Sequence, residues 1–305
     1  MPAETAPAAR PAGAWLVDSA FFLAGRLPWR ATGWLGRGLG WLLDGILRFR
    51  RRFVEEQLRL AFPELAAAER AGLRRRFYRH FGRLAAELLR LPSLGTAELR
   101  RRTVIEGEGH LQAALARGKG AFILAAHLGN WEIGLATAAC RGINLETVVK
   151  EVKGALGQYA IDRIRGAHGV RTIPRRNSAF RILRQLRAGG LVGFVLDQNM
   201  TADEGVFVEF FGRPACTMPG LAVLASRHGT PVIPIQFWRD EAGGGTFHAR
   251  FHPEIPWEAT GAGAEADVRH NTARYTRQIE ALIRERPEQW LWLHKRWKTR
   301  PPPPR

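Results

Sequence analysis

The rhythm of hydrophobic positions along this chain changes near residue 100. Before that point apolar residues recur every three or four positions, as at Leu73, Phe77, Phe81, Leu84 and Leu88, which places them on one face of a helix. Phe62-Pro63-Glu64 interrupts the pattern, because proline removes a backbone donor and disfavours helical backbone in the residue before it. Residues 53–91 are therefore expected to form two helices in an all-helical N-terminal region. From Thr103 onward short apolar runs alternate with amphipathic stretches. The runs at 121–126, 145–149, 191–196 and 232–238 have the length of buried strands, while helical stretches begin after Asn130 and occupy 156–167, 179–187 and 220–228. This alternation predicts an α/β fold, a mixed but mostly parallel sheet flanked by helices. Residues 246–251 are expected to add an antiparallel strand and 268–285 a closing helix. The expected division is a helical region over 1–100, an α/β domain over 101–300, and a proline-rich unfolded tail at 301–305.

Composition narrows the possible partners. With 305 residues, 46% hydrophobic and 24% charged, the chain has globular proportions, which excludes a disordered or collagen-like protein. Two cysteines, Cys140 and Cys216, are too few for a disulfide framework or a cysteine-rich zinc site and fit a reducing compartment. The formal net charge is +18, and only five of the 46 basic residues are lysines. Arginine's planar fork suits phosphate and carboxylate groups, so anionic lipid, an acidic carrier protein or nucleic acid are the partner classes that this charge favours. No aromatic-basic single-strand motif or zinc module supports nucleic acid.

The N-terminus refines the lipid option. Trp15, Trp29, Trp34 and Trp41 lie among Phe21, Phe22, Leu35, Leu39, Leu42 and Leu43, ahead of the basic run Arg48, Arg50, Arg51 and Arg52. No stretch reaches the ~18–20 uninterrupted apolar residues of a membrane-crossing helix, because 14–27 is broken by Asp18 and ended by Arg26 and Pro28. A secretory leader is also not expected, since Glu4 and Arg10 are the first charges and no small-residue cleavage site follows the apolar run. Tryptophan flanked by arginine is the composition of helices lying at a bilayer interface, here on the cytoplasmic side. The alternative is an amphipathic hairpin packed on its own domain.

Candidate chemistry centres on Ala125-Ala126-His127-Leu128-Gly129-Asn130-Trp131-Glu132, at the carboxyl end of the most strand-like run, where α/β sheets place their sites. Gly129 permits a tight turn and Asn130 is a good N-cap, so a helix is expected to start at Trp131. Glu132 is then expected to reach back to the His127 imidazole, fixing its tautomer and raising its basicity. The other ring nitrogen is left to take a proton from a substrate hydroxyl. No serine or cysteine lies in the motif, which favours direct attack by a substrate alcohol over a covalent intermediate. A capped turn with a satisfied histidine is the plainer alternative.

Other residues group around this dyad. Asp197, which closes 191–196, is expected to bind a sugar hydroxyl, anchor an arginine or cap the following loop. From Arg163 to Leu196 there is no acidic residue, against Arg163, Arg165, Arg171, Arg175, Arg176, Arg181, Arg184 and Arg187. Such a field would gather phosphorylated head groups or an acidic carrier protein, although Arg181, Arg184 and Arg187 also fit a solvated helix face. Phe207, Phe210 and Phe211 are candidates for lining an apolar channel, with plain core as the alternative. His248 and His252 share a strand face but lack further ligands, so no metal is expected.

The segment HLGNWE, with Leu196-Asp197-Gln198-Asn199, Gly205-Val206-Phe207-Val208-Glu209-Phe210-Phe211-Gly212, Pro287-Glu288-Gln289-Trp290 and His294-Lys295-Arg296-Trp297, resembles the bacterial lipid A late acyltransferase family. The resemblance runs from Ala61-Phe62-Pro63-Glu64 to Trp297. It implies a glycerolipid acyltransferase-like fold with a membrane-associating helical extension, on the cytoplasmic face of the inner membrane. It also implies transfer of a fatty acyl chain from acyl carrier protein, or coenzyme A, to a hydroxyl of a lipid A precursor. The donor thioester is a co-substrate and no cofactor is expected. In the family the histidine is the general base and the acid orients it, and these roles carry over to His127 and Glu132. Arg165, ahead of His168-Gly169, also matches the family pattern and is expected to contact substrate. Asp197, Gln198, Asn130, Gly129, Phe210 and Phe211 are the further expected substrate-binding positions, with donors near Gly129 or from Arg165 meeting the oxyanion. The residues before Phe62-Pro63-Glu64 and at Met218-Pro219-Gly220 depart from the family's commonest form. A lysophospholipid, a phosphatidylinositol mannoside and an ornithine lipid stay open as alternative acceptors, and a non-catalytic basic membrane binder as an alternative class.

Overall fold

The computed structural model describes residues 10–176, 178–240 and 245–302. Four helices come first: α1 (Ala14–Arg26), α2 (Trp29–Trp41), α3 (Arg51–Ala61) and α4 (Ala67–Arg90), with α2 running into one π turn at Leu42–Ile46. A short α5 (Thr96–Arg102) feeds β1 (Thr103–Glu106), followed by α6 (Glu108–Leu115), β2 (Ala121–Ala125), α7 (Trp131–Cys140) and β3 (Leu145–Val149). Then come α8 (Ala155–Gly166), β4 (Arg171–Pro174), α9 (Ala179–Arg187), β5 (Leu191–Val195), β6 (Val206–Phe210) and β7 (Arg213–Thr217). The chain closes with α10 (Gly220–His228), β8 (Val232–Arg239), β9 (Phe247–Phe251) and α11 (Ala264–Glu285).

Seven strands form one sheet in the order β1-β9-β8-β2-β5-β3-β4, parallel throughout except between β8 and β9. This is the mixed, mostly parallel sheet that the strand-helix alternation predicts, with the antiparallel strand where it was expected. All five residues of β2 are buried, which is why it reads as a continuous apolar run: helices cover both faces of a parallel sheet. Among the described residues no helix is long and apolar enough to cross a membrane.

Three features escape the periodicity. β1 and β4 have only four residues each, and β4 buries only Ile173, too little for a repeat to show. The third is the β6–β7 hairpin, closed by Phe211-Gly212 with φ of 52° and 67°, the two positive values of a primed turn. A phenylalanine rarely adopts such backbone. Here its N–H donates to Glu280 Oε2 at 2.6 Å, and its ring is buried against Phe62, Phe210, Trp290 and Trp292. Of the tail, Pro301 and Pro302 are exposed and irregular, and 303–305 lie outside the described residues.

The N-terminal helices are held by backbone contact and buried charge. Gly36 and Gly40 of α2 face Gly82 of α4, and a Cβ on Gly36 would stand 2.5 Å from Arg83 Cα. Asp44, in the π turn, accepts from Arg74 Nε at 2.8 Å, and Arg74 also pairs with Glu55, so one buried guanidinium ties α2, α3 and α4 together. Adding one methyl at the α2–α4 contact should therefore cost about 1–3 kcal/mol of overpacking. Gly82→Ala should lower the thermal unfolding midpoint, whereas Gly38→Ala on the same pair of helices, with nothing within 4 Å of its Cβ, should leave it unchanged or raise it.

Candidate active site

His127 follows β2, and Asp197 follows its neighbour β5. Ala125 pairs with Val195 in that parallel ladder, so the two residues stand at the same offset beyond the sheet's carboxyl edge. Asp197 Oδ1 is 2.8 Å from His127 Nδ1, and Oδ2 accepts both the His127 backbone N–H and the Trp290 indole N–H at 2.7 Å. One carboxylate thus fixes the backbone and the ring of the same histidine. Burial works against ionising Asp197, but the imidazole and the hydrogen bonds from His127 and Trp290 outweigh it and hold its pKa at about 2. Burial likewise opposes charging His127. The Asp197 carboxylate more than offsets that, with a smaller contribution from the charge of Glu132, and the imidazole pKa lies above its ordinary value. An ionised carboxylate only accepts, so in the neutral ring Nδ1 carries the proton and Nε2 keeps its lone pair. The Gln198 amide nitrogen lies 3.4 Å from Nε2.

Glu132 does not make the expected hydrogen bond to the imidazole. Its carboxylate, 3% exposed, accepts from Arg165 Nε at 3.0 Å and Nη2 at 2.6 Å, and from Trp131 Nε1 at 3.2 Å. The reason is local. The Asn130 side chain caps α7 by accepting from Ile133 N–H at 3.1 Å, and the first helical turn then turns Glu132 toward the last turn of α8, where Arg165 closes a bidentate pair. Arg165 is accordingly bound to Glu132 and still lines the cavity beside His127.

Two expected substrate contacts face inward. Gly129 has φ of 64°, and a Cβ there would lie 2.5 Å from Phe237 O, so only glycine fits. Its N–H donates to Gln289 O at 3.0 Å and is thereby committed, which removes it as an oxyanion donor. Asn130 is 2% exposed, and its amide donates to Glu87 Oε2 at 3.0 Å. Support from the C-terminal segment was also not anticipated as such. His294 Nε2 accepts from Asn199 N–H at 2.8 Å, while Arg296 donates to Gln198 O at 3.1 Å and Cys216 O at 2.8 Å. Burial lowers the Arg296 pKa to about 10. These residues lie in the HKRW segment, whose clustering of His, Arg and Trp was the available signal.

A cavity of 430 Å³ opens at His127, within the range of small-molecule sites. Ile105, Ile123, Leu145, Leu191, Ile235 and Ala249 supply its floor, one from each of six strands and all from the same sheet face, and α7 covers it. Phe210 and Phe211 do not line it. They are buried in an aromatic core with Phe62, Trp290, Trp292 and Trp297, because the β6–β7 hairpin packs on α11 on the opposite side. The arginine field is partly offset by four carboxylates: Arg163 pairs with Asp18, Arg165 with Glu132, Arg171 and Arg181 with Glu146, and Arg175 with Glu204. Arg176, Arg184 and Arg187 make no ion pair among the described residues.

The geometry yields a titration test. In Asp197→Asn, burial acts on His127 without the opposing charge, so its pKa, followed by NMR of the imidazole, should fall relative to the wild type. The neutral ring would then persist to lower pH. An unchanged value would show that Asp197 does not govern the ring.

The family described as bacterial lipid A biosynthesis acyltransferase matches residues 5–299. A lipid A biosynthesis acyltransferase of Haemophilus influenzae is 22% identical over 290 residues, covering 94% of this chain and 88% of the relative. The lipid A biosynthesis lauroyltransferase of Escherichia coli (strain K12) is 25% identical over 297 residues, covering 94% and 92%. A phosphatidylinositol mannoside acyltransferase of Mycobacterium tuberculosis is 30% identical over 224 residues, covering 71% and 67%. Since the family match takes in every element that builds the His127 site, from α1 to the HKRW segment, the chain is an acyltransferase that belongs to the bacterial lipid A biosynthesis acyltransferase family.

Proposed function

We propose that this enzyme moves a fatty acyl chain from acyl carrier protein, or coenzyme A, to a hydroxyl of a lipid A precursor, with His127 as general base and no covalent intermediate. The observation that carries this reading is the position of His127 at an apolar cavity, with Asp197 on ring nitrogen Nδ1 and Nε2 left to meet a substrate hydroxyl. The acceptor hydroxyl gives its proton to Nε2 as its oxygen bonds to the thioester carbonyl carbon. The tetrahedral intermediate then collapses with loss of the thiolate, which takes the proton back from the imidazolium. Asp197 stabilises that imidazolium and holds the ring in the required tautomer. The Gln198 amide, which neighbours Nε2, supplies a donor for the oxyanion once the acceptor hydroxyl has taken its place. Among the described residues neither serine nor cysteine lines the cavity, in keeping with direct transfer.

The acyl chain occupies the cavity and lies along the sheet. Glycine at 193 keeps that path open in the middle of β5. A Cβ there would stand 3.0 Å from Thr147 Oγ1, and at ~3.3 Å per residue it lies roughly 13 Å from Asp197. The N-terminal helices present Trp15, Phe22, Trp34 and Trp41, each more than half exposed, beside Arg26 and Arg37, which stack on Phe22 and Trp34. This is the chemistry of a surface that rests on anionic lipid, on the cytoplasmic face where the donor is found. The mannoside acyltransferase similarity supports a second acceptor, phosphatidylinositol mannoside.

Transfer of labelled acyl groups from acyl carrier protein to a panel of lipid acceptors, in detergent, decides among these. Transfer to a lipid A precursor is expected, and transfer only to the mannoside would replace the acceptor. His127→Ala should lower the rate by about 10²–10⁴-fold; undiminished transfer would remove the mechanism. Gly193→Ala should shift preference toward shorter acyl chains, and an unaltered chain-length profile would move the acyl chain out of this cavity.

A further inference from the structure

Behind the catalytic turn lies a buried polar cluster in which an N-terminal helix meets the α/β domain. Glu87 of α4 is 1% exposed and Arg239, at the end of β8, is fully buried. Arg239 Nη1 donates to both carboxylate oxygens of Glu87, at 2.9 and 2.8 Å, and its Nη2 lies 3.0 Å from His80 Nδ1. Glu87 also accepts from Asn130 at 3.0 Å, and Asn130 caps α7. From Arg239 the connections continue through Gln289, whose side chain bonds the Arg239 backbone N–H and C=O at 2.9 Å each, and whose own carbonyl accepts from Gly129 N–H at 3.0 Å. The bonds therefore close into a ring: Glu87 to Asn130, along the turn to Gly129, across to Gln289, to Arg239, and back to Glu87. The turn that carries His127 is one side of that ring.

We propose that Glu87 is a positioning residue for the catalytic turn, holding residues 127–132 through Asn130 and Arg239, so that the N-terminal helical region is part of the active-site framework as well as a lipid-facing surface. The proposal rests on the acyl-transfer reading for its kinetic consequence, and on geometry alone for the placement of the turn. The cluster explains the choice of residues. Glu87 meets donors throughout, two hydrogen bonds from Arg239 and one from Asn130, with the buried Arg83 guanidinium 4.0 Å from Oε1, so a carboxylate suits every one of them where an amide would turn its own N–H groups against them. Asn130 offers one acceptor to the helix and one donor to Glu87, a combination that its amide supplies and aspartate does not.

The pairing can be exchanged. In Glu87→Gln the new amide faces the donor of Asn130. In the double variant Glu87→Gln/Asn130→Asp that amide donates instead to the carboxylate introduced on the turn, which still caps the Ile133 N–H, and the cluster keeps its net charge. Asn130→Ser retains a good N-cap but cannot reach Glu87, so it cuts the link without removing the ion pair. Full-length protein in detergent is assayed for kcat and KM, and the His127 titration is followed by NMR. Glu87→Gln and Asn130→Ser should each lower kcat by about 10–100-fold with KM within about twofold, the size seen when supporting residues shift a reacting group by an ångström or less. The exchanged pair should recover most of the loss in Glu87→Gln. Wild-type kcat in a folded Asn130→Ser, or an exchanged pair no better than Glu87→Gln, would overturn the proposal. Absence of transfer by the wild type would refute the acyl-transfer reading alone. The NMR arm then decides the placement: a His127 pKa that moves in Asn130→Ser supports it, and one that stays at the wild-type value overturns it.

Discussion

The arrangement of this enzyme turns on how a single buried carboxylate is used. Asp197 receives the His127 ring, the His127 backbone N–H and the Trp290 indole within 2.8 Å, so the histidine, the strand end that carries it and the C-terminal segment meet at two oxygen atoms. Burying a carboxylate is costly unless its lone pairs are filled by good donors. Here those donors come from the histidine's ring, from its backbone and from the C-terminal segment behind it. Stability and pre-organisation therefore come from the same bonds, and the imidazole is basic because its neighbour is held ionised.

Around that centre two regions take separate tasks. One face of the sheet, floored by alternate residues of six strands and covered by α7, leaves an apolar cavity at the histidine. The other face is filled by α9, α10, α11 and the aromatic core of Phe210, Phe211, Trp290 and Trp292. Because side chains alternate along a strand, the sheet can be packed solid on one side and left open on the other without any change in backbone. Gly134 and Gly193, both lining the cavity, keep the open side open. A Cβ on either would press on Phe237 or Thr147.

The Glu132–Arg165 pair shows where local reasoning ends. Five positions separate His127 from Glu132, and a strand-turn-helix with an asparagine cap does bring them near each other, as the cap and Gly129 foretold. Proximity did not decide which carboxylate bonds the ring. Arg165, 33 residues further on, takes Glu132, and Asp197, 70 residues further on, takes the histidine. Likewise, the arginine-rich stretch from 163 to 187 looks like an open positive field until Asp18, Glu146 and Glu204 are brought against it. Phe210 and Phe211 illustrate the same limit, since spacing reveals that they are apolar and says nothing about which side of the sheet they meet.

What the sequence by itself determined is whatever follows from neighbours along the chain: helical and strand periods, the tight turn at Gly129, the cap at Asn130, the histidine at a strand end, and tryptophans beside arginines. Those are local because backbone sterics, hydrogen bonding within a turn and amphipathic repeats act over a few residues. The motif resemblance added the reaction class on the same local segments. Only the tertiary structure decided the partners, because the sheet order β2-β5-β3 sets Asp197 beside His127, and because α4 carries Glu87 to Asn130 across 43 residues. Strand order and helix docking are outcomes of the whole core's packing, and no short stretch of the chain encodes them.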